Sequence, residues 1–224
     1  MEKGFRTKFY EKYGGGSRFN GGAGKHLFLC IASLILFVGT LGFAAPWLIC
    51  IWHRWRMNYL VIDGRQIIFT GKGAKLFWRY LWLAFLTIIS LGWLGSWAHI
   101  KIEDWLIERT HIKHEEFEPY PGAFCRKSVF GGGIFDHNMR VFLQVLLVVF
   151  TLGLAMPWAI CIEQRYHLNN MIIDGKQVVF EGTGKKLFWR YYGWIFLTII
   201  TAGLFLIWAP VKFRKWVAKY THFE

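Results

Sequence analysis

Gly182-Thr-Gly184-Lys185-Lys186 is the stretch of this chain nearest in form to a phosphate-binding loop. A nucleotide-hydrolysing loop of the Gly-x-x-x-x-Gly-Lys-Ser/Thr type needs a hydroxyl after its lysine to hold magnesium. Leu187 and Phe188 stand there instead, so nucleotide hydrolysis is not expected. A milder chemistry fits these residues. Free amides at a helix start, beside Lys75, Arg79, Lys186 and Arg190, suit an anionic lipid headgroup. Eight histidines include His26 with His137 and His111 with His222, two pairs set 111 residues apart. Symmetric pairs of this kind could ligate haem or metal, but no His-x-x-x-His spacing supports it, and neither metal nor cofactor is expected. Cys50 and Cys161 form a third such pair, while Cys30 and Cys125 stand alone; none has the spacing of a disulfide framework. No nucleophile–base pair or carboxylate dyad is visible, so no catalytic residue is assigned and an enzyme is not the favoured reading.

The elements carrying these residues are apolar. Of 224 residues 54% are hydrophobic and 19% aromatic, yet the formal charge is +13. So much apolar surface is more than one soluble domain of this length is expected to hide. Four stretches, 27–52, 76–100, 141–162 and 187–211, approach or exceed the roughly 20 apolar residues that cross a hydrocarbon core. Trp47, Trp52, Trp78, Tyr80, Trp97, Trp158, Trp189, Tyr191 and Trp208 crowd their ends, as amphipathic rings do at a bilayer interface. The basic N-terminus before Leu27 is not read as a cleaved leader, because the same pattern recurs at Thr151–Trp158.

A shift of 111 residues aligns Thr40–Lys113 with Thr151–Glu224 without a gap, with 36 identities in 74 positions. A finer repeat starts at Phe19, Phe69, Phe130 and Phe180. Each is followed two residues on by Gly, and later by Thr40, Ser90, Thr151 or Thr201, then Gly42, Gly92, Gly153 or Gly203, then Trp47, Trp97, Trp158 or Trp208. Pro46 and Pro157 follow the mid-segment glycine by four residues in the odd quarters. This pattern predicts either a kink and close helix packing or a broken helix lining a path. Asp63-Gly64 and Asp174-Gly175, each between β-branched runs, predict β-hairpins, with the aspartates as turn formers.

The recurring Phe-x-Gly-x-Gly-x-x-Leu-Phe, followed by Thr-Leu-Gly-x-x-x-Pro-Trp and a basic aromatic tail, resembles the YjgN-type family of bacterial inner-membrane proteins, a family of unknown function. The likeness covers about residues 19–224. It departs at Ser96 and Ile207, which replace the proline before Trp, and at the acidic Glu115, Glu116 and Glu118. It implies an inner-membrane location and this repeat architecture, and it transfers no activity.

These readings together predict a mainly α, multi-pass protein of the bacterial inner (cytoplasmic) membrane. Its four membrane helices form a tandem duplication, with short β-hairpins at the surface. A basic tail, 1–18, precedes one repeat half, 19–113; a linker, 114–129, leads to the other, 130–224. Four crossings with adjacent quarters inverted are preferred, with both termini cytoplasmic by the charge bias; a hairpin in each quarter turning near Thr-x-Gly, with all loops on one side, is the alternative. The expected function is a small transporter or channel-like protein, its path or kinks formed by Thr40, Gly42, Pro46, Ser90, Gly92, Thr151, Gly153, Pro157, Thr201 and Gly203. The alternative is a lipid-binding structural or assembly subunit. Membrane lipids, a homo-oligomer and a protein at the acidic linker are the expected partners. Nucleic acid is not, since positive charge is spread over every loop.

Overall fold

The computed structural model describes Gly16–Lys113 and Lys127–Glu224. Most of the acidic linker, and with it the expected partner surface and Cys125, lies outside the described residues. Each quarter is strand–helix–turn–helix–strand. The first runs β1 (Arg18–Phe19), α1 (Ala23–Gly39), α2 (Ala45–Asn58) and β2 (Leu60–Ile62). The second runs β3 (Arg65–Phe69), α3 (Gly73–Ile89), α4 (Gly95–Ile107) and β4 (Thr110–Ile112). The third runs β5 (Val129–Phe130), α5 (Ile134–Phe150), α6 (Met156–Asn169) and β6 (Met171–Ile173). The fourth runs β7 (Lys176–Phe180), α7 (Gly184–Ile200), a 3-10 turn (Leu204–Ile207), α8 (Ala209–Lys219) and β8 (Thr221–Phe223).

The four expected membrane helices are therefore corrected. Each apolar stretch is a pair of helices, and none among the described residues is long and apolar enough to cross a membrane. The outgoing helices have 17 residues, about 25 Å at 1.5 Å per residue, short of the ~30 Å core. The multi-pass inner-membrane placement with inverted quarters falls with them. The cause is local. Thr40 closes α1, Leu41 takes φ +49 and Gly42 φ +87. The Gly42 amide donates to Phe37 O at 2.8 Å and the Leu41 amide to Val38 O at 3.2 Å, the paired bonds of a Schellman motif. Gly92, Gly153 and Gly203 repeat it, bonding to Thr87, Val148 and Thr198. Pro46 and Pro157 sit in the first turn of the returning helix, where a missing N–H costs nothing. They start helices rather than kink them.

The strands do more than decorate. Asp63-Gly64 and Asp174-Gly175 have positive φ at both residues, the type I′ hairpin turn that Asp-Gly favours. Each joins two quarters, and the strands pair into two antiparallel sheets, β1-β2-β3-β4 and β5-β6-β7-β8. The last strand of each sheet, β4 or β8, falls in the basic aromatic tail of the sequence pattern and closes its half. Phe69 and Phe180 fold their rings over Gly71 and Gly182, where a Cβ would collide with the ring; Phe19 and Phe130 do the same over Gly21 and Gly132. Gly73 and Gly184 let α3 and α7 start against α2 and α6: a Cβ at either would lie 2.8 Å from the Cα of Trp47 or Trp158. Those two members of the Trp column therefore dock the next hairpin.

The core lies between the sheets and the returning helices and runs through both halves. Met57, Ile62, Ile67, Leu76, Ile107, Ile173, Val178, Phe180 and Leu187 are fully buried there. Asp63 and Asp174 add a brace between halves. Asp174 Oδ2 accepts from the Ile112 amide and Asp63 Oδ2 from the Phe223 amide, each at 2.7 Å. Ser17 and Ser128 hydroxyls in turn accept from the Asp63 and Asp174 amides, at 3.0 and 3.1 Å. Each turn thus clamps the last strand of the opposite half. Replacing Asp174 by Ala should cost about 2–4 kcal/mol, from lost charge-assisted bonds and lost tolerance of positive φ. Asn, which keeps that tolerance, should cost about 1 kcal/mol less. Denaturant unfolding of the two variants checks this; equal costs below about 0.5 kcal/mol would mean the brace carries no load.

Candidate functional site

The residues expected to form a path lie at the four hairpin tips, and their polar groups are occupied. Thr40 Oγ1 donates to Leu36 O at 2.7 Å and accepts from the Ala44 amide at 3.0 Å. Thr151 does the same with Leu147 and Ala155, and Thr201 with Leu197 and Phe205. Ser90 donates to Thr87 O and accepts from Leu94 N. The hydroxyls close the turns: each satisfies one of the amides that a new helix leaves free.

Around these turns the surface is apolar to an unusual degree. The apex leucines Leu41, Leu91 and Leu152 are 89%, 97% and 94% exposed, and all three hold left-handed backbone. The outgoing helices add Phe28, Leu34, Phe85, Ile88, Phe142, Phe150, Phe196 and Ile199 to the exposed apolar set. α5 buries no residue at all, and α1 buries only His26. Neighbouring hairpins touch in sequence, α2 on α3, α4 on α5 and α6 on α7, while α1 meets the 3-10 turn of the fourth. The four apolar tips thus belong to one ring of hairpins rising from one β-sheet base. Between the third tip and the start of α7 an open apolar groove of about 460 Å³ is lined by Leu147, Leu154, Trp158, Ile162 and Phe188.

The four basic residues read from the sequence lie in the first turns of α3 and α7. Lys75, Arg79, Lys186 and Arg190 are all exposed, and Lys186 lies 4.8 Å from the Tyr220 ring. Trp78 and Trp189, 77% and 81% exposed, share those turns. Along α3 the exposed side chains change from Lys75 and Arg79, through Trp78 and Trp82, to Phe85, Ile88, Ile89 and Leu91. Arg79 and Ile89 are ten residues apart, about 15 Å along the helix.

Histidines gather where α4 meets α5 and α6. His99 stacks on His137 at 5.8 Å between centroids, and His167 lies 6.0 and 6.5 Å from the two. Glu163 binds His167 Nε2 at 2.9 Å and accepts from Gln144, and the His167 bond is the largest cause holding its pKa below the usual carboxylate range. His137 is lowered, chiefly by burial. Among the described residues no group of three or more His, Cys, Asp or Glu could hold a metal ion. Of the repeat-related pairs, His26 packs on Trp52 and Trp55, while His111 Nδ1 binds Asp174 at 3.0 Å. Burial raises the Cys50 and Cys161 thiols to about 11, which leaves them packing groups rather than nucleophiles.

His53, on α2, is sealed in the core, 3.3 Å from the Thr110 hydroxyl and against the Phe69 ring. Because Thr110 Oγ1 donates to Leu106 O, His53 Nε2 carries the proton. Burial, then the charges of Arg56 and Arg214, push its pKa down to about 3. The unfolded chain protonates this histidine near 6.5 and the folded chain does not until about 3. Stability contributed by the neutral ring is therefore full above the unfolded value and falls as pH drops below it, by about 2 kcal/mol at pH 5. His53→Gln, the residue Gln164 that the other half already carries, should remove that part of the slope in unfolding measured from pH 7.5 to 5. An unchanged slope would place the sensitivity in His26 and His137, whose pKa values are lowered too.

Compared with known proteins, the chain matches no protein-family model, and no curated protein or solved structure is significantly similar to it.

Proposed function

We propose that the protein docks on a lipid surface, its four hairpin tips immersed in one leaflet and its β-sheet base in water, and acts there by binding lipid rather than by catalysis. The order of exposed residues along α3 carries this reading: basic, then tryptophan, then aliphatic. Charged groups and indoles favour the headgroup level and aliphatic side chains the acyl level. The ~15 Å from Arg79 to Ile89 equals half of a ~30 Å hydrocarbon core. An apolar surface of this extent needs a cover, and leucines at three of the four apices suit acyl chains better than water. The groove at the third tip has the size and apolar lining to seat part of one acyl chain. The lipid-binding reading is preferred to a transporter because the tip hydroxyls are used within the turns.

An environment-sensitive fluorophore on cysteine at position 91, compared with one at position 65 in the β-sheet base, tests the reading in vesicles of zwitterionic lipid with an anionic fraction. The label at 91 should shift to the blue and be quenched by nitroxides on the acyl chains; that at 65 should stay in water. Neutralising Lys75, Arg79, Lys186 and Arg190 together should weaken vesicle binding tenfold or more, since each charge near an anionic surface contributes about 1 kcal/mol. A label at 91 that stays water-accessible on bound protein would overturn it.

A further inference from the structure

The gapless alignment of the two halves makes the two seams between them comparable position by position, and they have diverged in charge. At one seam α4 meets α5 and, through His99 and His167, α6; at the other α8 lies along β1 and β2 and, through Arg214 and Trp55, against α2. Glu103 and His167 at the first seam correspond to Arg214 and Arg56 at the second. The first seam carries acids beside its basic groups: Glu163 pairs with His167 at 2.9 Å, Glu103 lies 3.9 Å from His99, and Arg140 stacks on the Tyr166 ring at 3.6 Å. The second holds two guanidiniums and no acid. Among the described residues neither Arg56 nor Arg214 has a carboxylate within 4.0 Å or a hydrogen-bond acceptor, and Arg214 meets only the face of Trp55, at 5.9 Å.

Arg56 and Arg214 line one cleft together with Gln164, Thr221 and the rings of Phe19 and Phe213. About 30 Å³ of it is open to the centre of a water molecule. The polar side chains entering it are short of acceptors. Gln164 makes no hydrogen bond among the described residues, and Thr221 already donates to Val217 O. Burial, and then the charge of Arg56, lower Arg214 to about 9, so Arg214 still carries its charge at neutral pH and is repelled by Arg56. A half-buried pair of like charges is costly unless something of opposite charge completes it. Planar donor forks at the mouth of a small cleft match a tetrahedral oxyanion.

We propose that this seam binds an oxyanion of the phosphate class, held by Arg56 and Arg214 with Gln164 as a further donor. The cleft opens among β1, β2 and α8 at the base, away from the tips, so the site is independent of lipid docking. A free phosphate or phosphomonoester is the source that reaches it from water; a lipid phosphate would have to leave the surface.

Thermal unfolding of the whole protein with inorganic phosphate, at matched ionic strength set by chloride, tests the proposal. Phosphate at tens of its Kd should raise Tm by about 3–8 °C. Arg214→Gln should abolish that rise while leaving the phosphate-free Tm equal or higher, because it removes a repulsion. Glu103→Gln, at the corresponding position of the other seam, should leave the phosphate response intact. Calorimetric titration should show phosphate affinity falling at least tenfold in Arg56→Gln. Soluble glycerol phosphate and vesicles of phosphatidylglycerol separate the sources: protection by the first alone identifies a soluble ligand, and protection by the second alone a lipid headgroup. No phosphate-dependent shift in the wild type, or an Arg214→Gln variant that loses stability and keeps the shift, would overturn the site.

Discussion

At each hairpin apex a glycine amide reaches back five residues to a carbonyl of the outgoing helix, and a Thr or Ser hydroxyl spans the gap to the returning one. The rest of the architecture depends on that turn. It divides an apolar run long enough to span a bilayer into two helices that are not. Both ends of every quarter therefore come home to the same base, where β1 can pair with β2 and β3 with β4. A kinked but continuous helix would have put those strands on opposite faces of a membrane and left four isolated edges. Three of the apices place leucine in left-handed backbone, at roughly 1–2 kcal/mol each. An apex whose function were only to turn would be better served by glycine there. Leucine trades backbone comfort for apolar surface at the most protruding point.

The base must hold a structure whose outer half contributes little to its own burial. α5 packs none of its side chains fully, so stability resides in the sheets, the returning helices and the braces across the halves. The braces are economical. Asp63 and Asp174 each form a type I′ turn with one part of the side chain's role and fix a strand of the other half with the rest. Arg54 and Arg165 reach Gly71 and Gly182 carbonyls at 2.7 and 3.0 Å, tying each returning helix to the start of the next hairpin. Because Phe69 and Phe180 cover those same glycines, the Phe-x-Gly motif joins strand, loop and helix at one point.

Much of this was legible in the sequence. The columns of Phe-x-Gly, hydroxyl-x-Gly and Trp delimit the quarters, and Asp-Gly announces the hairpin turns. The turn at Thr-x-Gly was not separable from a kink, because the residue taking the first left-handed position is Leu, which carries no signature of it, and the glycine comes one place later than a helix end usually displays. A largely apolar stretch of this length also looks alike whether it crosses once or goes out and returns. The roles of Asp63 and Asp174 beyond their turns were out of reach for another reason. Asp63 meets Phe223 across 160 residues, and no local pattern encodes such a partner. Lys75, Arg79, Lys186 and Arg190 were legible as surface charge, but only the fold sets them at one level with Trp78 and Trp189.

Duplication explains the shape and divergence explains the chemistry. Positions that keep their identity between halves, such as Arg54 with Arg165 and Asp63 with Asp174, make the same bonds in both copies and hold the scaffold. Positions that change do so in concert at the seams. Trp52 stands opposite Glu163, Arg56 opposite His167 and Arg214 opposite Glu103, so the acids lie on one seam and the other has arginines without an acid. A scaffold alone would gain nothing from that separation: interleaving the charges would have given each seam an ion pair of its own. The uneven distribution leaves the arginine seam open to an anion from outside.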